Sequence, residues 1–178
     1  MKTKKQIYLI GLLLGIVLLI VPQGWAQPKP EAKGPIITNA FAVEKGYYGS
    51  IWRIYIEAED PDAEMVRIAV TVDQVGYGHH PSDWIYLKRP YRNRLKGYLQ
   101  WNTFSSKAGD LRDGVQITLK VSIVDKAGNE SKELVFPFTF ESGMGGQPMV
   151  PAPFDQGDVP RLGYINIDLI SPNYKMQS

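Results

Sequence analysis

Apolar and polar residues alternate one for one along two neighbouring stretches, residues 115–123 and 134–140. A period of two places successive side chains on opposite faces, so each stretch predicts a β-strand with one dry face and one wet face. Residues 125–131, between them, are rich in Asp, Asn, Gly and Ser, which favour turns. The chain therefore contains a predicted β-hairpin of the kind found in two-sheet β-sandwiches.

The same alternation predicts further strands nearer the N-terminus, at residues 35–41, 51–58, 65–74, 84–87 and 97–103. Pro137 lies inside the last strand of the hairpin and has no N–H for a sheet ladder, so that strand is predicted at a sheet edge. The apolar positions that face inward in these strands form the predicted core: Trp52, Ile54, Ile56, Ile68, Val70, Val72, Leu99, Trp101, Ile117, Leu119, Val121, Phe136 and Phe138.

Residues 1–26 have the organisation of a signal peptide. Three lysines precede an unbroken apolar run at residues 7–21, and the small residues Gly24 and Ala26 stand where a signal peptidase needs them. The run is shorter than the roughly 20 residues that a membrane-spanning helix requires. We therefore expect export to the periplasm or the cell exterior, with no stable membrane span after cleavage. A polar spacer, residues 27–34, follows.

The C-terminal part of the chain combines a flexible composition with one more strand pattern. Residues 142–160 are rich in Gly and Pro and predict a linker, and residues 161–178 predict a strand and tail. A lone strand in water is unstable, so this one must pair. It either folds back onto its own sheet or is donated to another copy or another exported protein, and the residues that would then reach the partner are Tyr164, Ile165, Ile167 and Leu169.

Composition narrows the classes of partner. The 178 residues suffice for one domain with extensions, and 44% are hydrophobic, which is a globular value. Without the three leader lysines, 17 basic residues stand against 18 acidic ones. A nearly neutral chain offers no electrostatic basis for nucleic-acid binding. The chain has no cysteine, so the core must hold the fold without disulfides.

Three stretches resemble bacterial immunoglobulin-like domains, the group that includes fibronectin III-like and cadherin-like sandwiches. They are residues 111–114 (Leu-Arg-Asp-Gly), the turn at 125–131 and residues 54–62, and the resemblance extends over about residues 35–141. It implies an all-β, immunoglobulin-like β-sandwich of about seven strands, here followed by a Gly/Pro linker and one extra strand. Such domains have many unrelated roles, so the resemblance implies little about function.

An acidic loop is the candidate metal site. In an immunoglobulin-like topology the loop after residue 58 lies at the same end of the sandwich as the 125–131 turn. Asp60, Asp62 and Asp125 could then converge on Ca²⁺, which prefers six to eight oxygen ligands, in an adhesion-type domain. The alternative is a solvated turn in which the aspartates cap backbone N–H groups.

A second candidate site is the irregular segment at residues 75–96, where aromatic and basic residues cluster. Aromatic faces beside polar donors suit sugar rings, and binding sites are often found on loops of rigid scaffolds. The candidate ligand-binding residues are Tyr77, His79, Trp84, Tyr86, Tyr91, Arg92 and Arg94. The alternative is that half of the aromatics face the core and the charges are solvated. A zinc site at the adjacent histidines is disfavoured, because neighbours on an extended chain point apart.

Catalysis is not indicated by the sequence. There is no cysteine nucleophile, no Ser-His-acid order with a nucleophile elbow, and no phosphate-binding glycine loop leading into a helix. The sequence therefore predicts a non-enzymatic exported module for protein interaction or for assembly at the cell envelope or outside the cell. Its alternatives are a glycan- or ligand-binding module that uses residues 75–96 and a Ca²⁺-stabilised domain. No other cofactor is implied.

Overall fold

The computed structural model describes residues 34–61, 64–108, 111, 113–142 and 149–171, and in this part of the chain the fold is all-β. The predicted signal peptide and most of the polar spacer lie outside the described residues, as does Asp62. The ten strands are β1 (Ile36–Ala42), β2 (Lys45–Gly46), β3 (Ile51–Glu59), β4 (Met65–Gln74), β5 (Gly78–His79), β6 (Asp83–Tyr86), β7 (Arg94–Asn102), β8 (Gln116–Asp125), β9 (Leu134–Phe140) and β10 (Arg161–Ile165).

Two sheets pack face to face. Sheet A has the strand order β1-β3-β7-β10, and sheet B has the order β2-β9-β8-β4-β5, with β6 also pairing with β4. Neighbouring strands are antiparallel except for β2 with β9 and β10 with β7. This arrangement confirms the predicted immunoglobulin-like sandwich, with β1, β3 and β7 in one layer and β8, β9 and β4 in the other.

The core lies between the sheets and contains the predicted inward-facing residues. Trp52 on β3 packs against Trp101 on β7 with 6.0 Å between ring centroids, and against Phe138 on β9 at 4.5 Å. Twelve of the thirteen predicted core residues are buried, and Phe136 is half-buried. Alternation identified the core because each strand of a two-layer sandwich has one face toward the other sheet.

The C-terminal segment is part of this core. β10 forms the end of sheet A beside β7, the position that strand D takes in an immunoglobulin ABED sheet, but it runs parallel to its neighbour and comes from the end of the chain. β10 ends at Ile165, earlier than the alternation in the sequence predicted. After it the chain is irregular, but the side chains of Ile167 and Leu169 are still buried in the sandwich. The buried apolar side chains of this segment are Leu162, Ile165, Ile167 and Leu169.

Two glycines allow β10 to approach its neighbours closely. A Cβ on Gly97 of β7 would lie 2.5 Å from Cγ of Leu162 and 2.7 Å from the carbonyl oxygen of Pro160. A Cβ on Gly163 would overlap Cγ2 of Ile85 on β6. Because neither position has room for a methyl group, glycine at both sites lets β10 seat against β7 and β6.

Several local predictions can be compared with the strands. β6 is a short strand that pairs with β4. β9 pairs only with β8 along Leu134–Phe138, which includes Pro137, but β2 lies beside its last two residues, so the predicted edge strand is an edge for only part of its length. The predicted basic loop before residue 97 instead contains a 3₁₀ turn, Arg89–Tyr91, and the first three residues of β7. Among residues 149–160 of the predicted linker, Phe154 is buried and its ring lies 5.4 Å from that of Tyr55. Within the described ranges, no helix has the length and apolarity needed to cross a membrane.

We expect Leu119→Ala to lower the free energy of unfolding by about 3 kcal/mol, because it leaves a cavity at the centre of β8. Leu119 is fully buried. The control is Val135→Ala on β9, whose side chain is 55% exposed and should change stability by about 0.5 kcal/mol or less. Urea unfolding measures both, and equal effects would mean that the inward and outward faces are reversed.

We expect Gly163→Ala to destabilise the fold by about 1–3 kcal/mol, since the new methyl group collides with Ile85. The penalty should shrink when Ile85 is also replaced by Ala, because the second substitution removes the colliding atom. A double-mutant cycle by urea unfolding tests this coupling. Strictly additive effects would contradict the proposed contact.

Candidate functional site

The aromatic side chains of β6 face outward on sheet B. Ile85 points into the core, and its neighbours Trp84 and Tyr86 therefore lie on the opposite face of the strand. Trp84 is 42% exposed and Tyr86 is 70% exposed. Two large aromatic groups thus stand side by side, about 7 Å apart along the strand, on a rigid sheet rather than on a loop.

A cation covers one of these rings. β4 pairs with β6 so that Arg67 lies opposite Tyr86 and Ala69 lies opposite Trp84. The guanidinium carbon of Arg67 is 4.3 Å from the centroid of the Trp84 ring, which is a cation–π contact. The Nε atom of Arg67 is buried and has no hydrogen-bond partner among the described residues. The small side chain of Ala69 leaves room for this stacked pair.

The chain that follows β6 adds positive charge to the same region. Lys88 and Arg89 are exposed and come directly after buried Leu87. Within the described part of the chain, no ion pair involves either of them. We define the β6 surface as Arg67, Trp84, Tyr86, Lys88 and Arg89. It combines two aromatic rings with three cationic groups.

The side chains of the other predicted ligand-binding residues have partners outside the β6 surface, although the backbone N–H groups of Tyr91 and Arg92 bond to the Lys88 and Arg89 carbonyls. The ring of Tyr77 stacks on His80 at 4.6 Å, and Tyr91 packs against the core. Arg92 donates from Nε to the Leu87 carbonyl and lies 3.5 Å from a Glu64 carboxylate oxygen. Arg94 pairs with Glu59 of sheet A at 3.2 Å. Of the seven residues predicted, Trp84 and Tyr86 share the β6 surface.

Arg67, Lys88 and Arg89 are not among the ligand-binding residues predicted from the sequence. The signal for Arg67 was its outward position in the alternation of β4. Its relation to Trp84 depends on the register between β4 and β6, which the alternation of either strand alone does not set.

His79 belongs to an ion cluster at the far end of β4. Its Nδ1 lies 2.7 Å from one oxygen of Asp73, and Nζ of Lys120 lies 2.9 Å from the other. The hydrogen bonds from His79 and Lys120 lower the pKa of Asp73 below its usual value, and Asp73 in turn raises the pKa of Lys120. His79 is therefore already engaged within its own sheet.

One of the candidate calcium residues, Asp125, takes part in a turn. Asp125 is buried, and its two carboxylate oxygens accept hydrogen bonds from the backbone N–H and the side-chain Nδ2 of Asn129, each at 2.8 Å. Asp60 is also buried, at the end of β3. Among the described residues, which exclude Asp62, no group of three or more His, Cys, Asp or Glu side chains is placed to hold a metal ion. Calcium binding stays a prediction.

Of the four residues proposed to reach a partner, one is exposed and three are buried. Tyr164 is 49% exposed, with the guanidinium carbon of Arg161 4.2 Å from its ring centroid. Ile165, Ile167 and Leu169 are buried in the chain's own sandwich. The structure therefore shows the folded-back arrangement, in which donation of this strand would first require its release.

Comparisons with known proteins return likenesses of fold. No protein-family model matches the chain, and no curated protein does. One similar solved structure is the PKD domain of an M14-like peptidase from Thermoplasmatales archaeon SCGC AB-540-F20, with a TM-score of 0.42 and 15% identity over 62% of this chain and 99% of that one. Another is the CARDB domain of a Pyrococcus furiosus protein in complex with di-metal ions, with a TM-score of 0.32 and 8% identity over 60% of this chain and 85% of that one.

We expect Asp125→Ala to lower the free energy of unfolding by about 2 kcal/mol, because two donors of Asn129 lose a charged acceptor. Asp155→Ala, at an exposed position, is the matched control and should be nearly neutral. Thermal melts with calcium and with a chelator complete the test. An increase in melting temperature with calcium that disappears in Asp125→Ala would support the calcium prediction, whereas identical melts would remove it.

Proposed function

We propose that this protein is a non-enzymatic exported module that binds another protein through the β6 surface. The observation that carries the proposal is the exposure of Trp84 and Tyr86 on the outer face of sheet B, with the guanidinium of Arg67 stacked on the tryptophan. Trp, Tyr and Arg are the residue types that most often dominate the binding energy of protein interfaces. Their presence together on one exposed face favours an interface over an ordinary wet face.

The rigidity of the surface supports the same proposal. β6 is hydrogen-bonded to β4, and Ile85 anchors it to the core. An aromatic side chain held on a sheet loses little conformational entropy on binding, since its backbone is already ordered. The β6 surface is therefore largely pre-formed in the free protein, which favours binding without a large rearrangement.

The charge of the β6 surface indicates the chemistry of the partner. Arg67, Lys88 and Arg89 supply positive charge around the two rings, and residues 84–109 contain no acidic residue. A protein partner that presents carboxylates around an apolar patch would complement this surface. Its binding should weaken as salt concentration rises, because the charges at the rim are screened.

A glycan is the second candidate ligand. Tyr86 has most of its surface exposed and lies beside Trp84, an arrangement on which sugar rings can stack. In this case the ligand would use the same two aromatic residues, and the cations would favour an acidic sugar. The two candidates therefore differ in the class of molecule retained and not in the residues used.

Export follows from the predicted signal peptide at residues 1–26, which supports a role outside the cytoplasm. The absence of cysteine is compatible with an oxidising compartment, because the core contains the large aromatic cluster of Trp52, Trp101 and Phe138. Retention of a cleaved product in the exported fraction, determined by mass spectrometry of its N-terminus, tests this part of the proposal.

We expect Trp84→Ala and Tyr86→Ala each to reduce partner capture by about tenfold or more, as expected for hot-spot residues that lose about 1.4 kcal/mol or more. The matched control is Tyr47→Ala, which removes a ring that is 51% exposed elsewhere on the molecule and should leave capture unchanged. The measurement is quantitative mass spectrometry of exported proteins retained by each immobilised variant, after circular dichroism has confirmed folding.

The native protein and the three variants, Trp84→Ala, Tyr86→Ala and Tyr47→Ala, are also applied to a glycan array. If the native protein captures no protein but binds a glycan, and Trp84→Ala loses this glycan binding, the ligand of the β6 surface is a sugar and not a protein. Equal retention by the native protein, Trp84→Ala and Tyr47→Ala in both experiments would contradict a role for the β6 surface.

A further inference from the structure

A buried polar cluster clamps the C-terminal segment where it crosses the end of β4. Gln74 is 2% exposed and binds Ile170 through both its amide atoms. Its Nε2 donates to the Ile170 carbonyl at 2.6 Å, and its Oε1 accepts from the Ile170 N–H at 3.2 Å. The side chain of Gln74 thus satisfies the backbone N–H and C=O of Ile170, as the backbone of a neighbouring strand would.

His80 completes this clamp. Its ring is 3% exposed, and its Nε2 lies 3.0 Å from Oε1 of Gln74. The orientation of Gln74 is set by Ile170, so Oε1 is an acceptor and His80 must donate from Nε2. The backbone N–H of His80 bonds to Val72, and its ring stacks on Tyr77 at 4.6 Å. His80 is therefore held as part of the packed clamp.

Ionisable groups face His80 from each element around it. Asp73 on β4 and His79 on β5 form one ion pair, and Lys120 on β8 binds the same carboxylate. Asp168 of the C-terminal segment lies 3.8 Å from Nζ of Lys107. Burial lowers the pKa of His80, and His79 lowers it further, while Asp168 and Asp73 act in the opposite direction. Burial is the largest of these effects.

The other hydrogen bonds that anchor the segment do not involve a histidine. Nε1 of Trp101 donates to the Ile167 carbonyl at 2.9 Å, and the N–H of Ser171 donates to the Lys107 carbonyl at 2.9 Å. The N–H of Asn166 donates to the carboxylate of Asp83 at 2.7 Å.

We propose that mild acid releases the C-terminal segment, residues 161–171, from the sandwich when His80 takes up a proton. Because Nε2 of His80 already donates to Gln74, the added proton goes to Nδ1. A charged ring in this buried place is costly, and it regains water when the clamp between Gln74 and Ile170 opens. The released segment then leaves the side of β7 that β10 covers in the closed state.

The direction of the pH effect follows from linkage. In the open state His80 has its ordinary pKa near 6.5, whereas in the closed state the pKa is lower. Between these two values the open state binds more protons, so acidification favours opening as the pH falls below about 6.5. Asp73, whose pKa is lowered from 3.8, loses its own stabilising contribution only in stronger acid.

Hydrogen exchange of individual amides tests the proposal. After correction for intrinsic exchange, the open population at Ile170 and Ser171 should rise by about tenfold between pH 7.5 and pH 5.5, the limit for one proton with a pKa near 6.5. Amides of Leu119 and Val121 in β8 are the internal reference and should not change by this factor. An equal rise in β8 would indicate global unfolding and would contradict release of the segment.

The adjacent histidines supply matched variants. His80→Gln should abolish the acid-dependent rise, and His79→Gln should retain most of it, because His79 is exposed and outside the clamp. An unchanged rise in His80→Gln would overturn the proposal. Should His80→Gln fail to fold, nuclear magnetic resonance titration of the native protein decides, since a His80 pKa at or above 6.5 would equally overturn it.

Discussion

The fold depends on how the side of sheet A next to β7 is closed. Trp101 packs its ring against Trp52 in the core and donates its Nε1–H to the carbonyl of Ile167 in the C-terminal segment. One side chain therefore joins the interior to the last part of the chain. Without that segment, the apolar face of β7 would be open to water on the side where an immunoglobulin domain has strand D. The remainder of the sandwich has alternating faces, and its neighbouring strands are antiparallel except for β2 with β9.

The same closure positions the candidate binding surface. Gly163 of β10 lies against Ile85, and the backbone of Asn166 binds Asp83, so β6 is held both by β4 and by the C-terminal segment. Once Ile85 is directed inward, Trp84 and Tyr86 must face outward. The proposed binding surface and the proposed acid-sensitive segment are thus adjacent in the fold. Release of the segment would remove one of the two supports of β6.

Much of the fold was predictable because a sandwich repeats one simple rule. Leu119 and Trp52 were assigned to the core from alternation alone, and the structure confirms both. The edge position of Pro137 followed from its missing N–H. Other features depend on pairs of residues distant in sequence. Arg67 meets Trp84 through the register between two strands, and Gln74 meets Ile170 across 96 residues.

The sequence by itself determined most of the inward-facing strand positions, where most strands lie and which class of fold they form, because these properties follow from local periodicity and turn chemistry. It also placed Trp84 and Tyr86 among the candidate binding residues. Only the tertiary structure decided that the last strand folds back beside β7, that His80 is buried while His79 is exposed, and that Asp125 serves a turn. Each of these depends on the register and order of strands, which energetic competition among long-range contacts selects and no local pattern encodes.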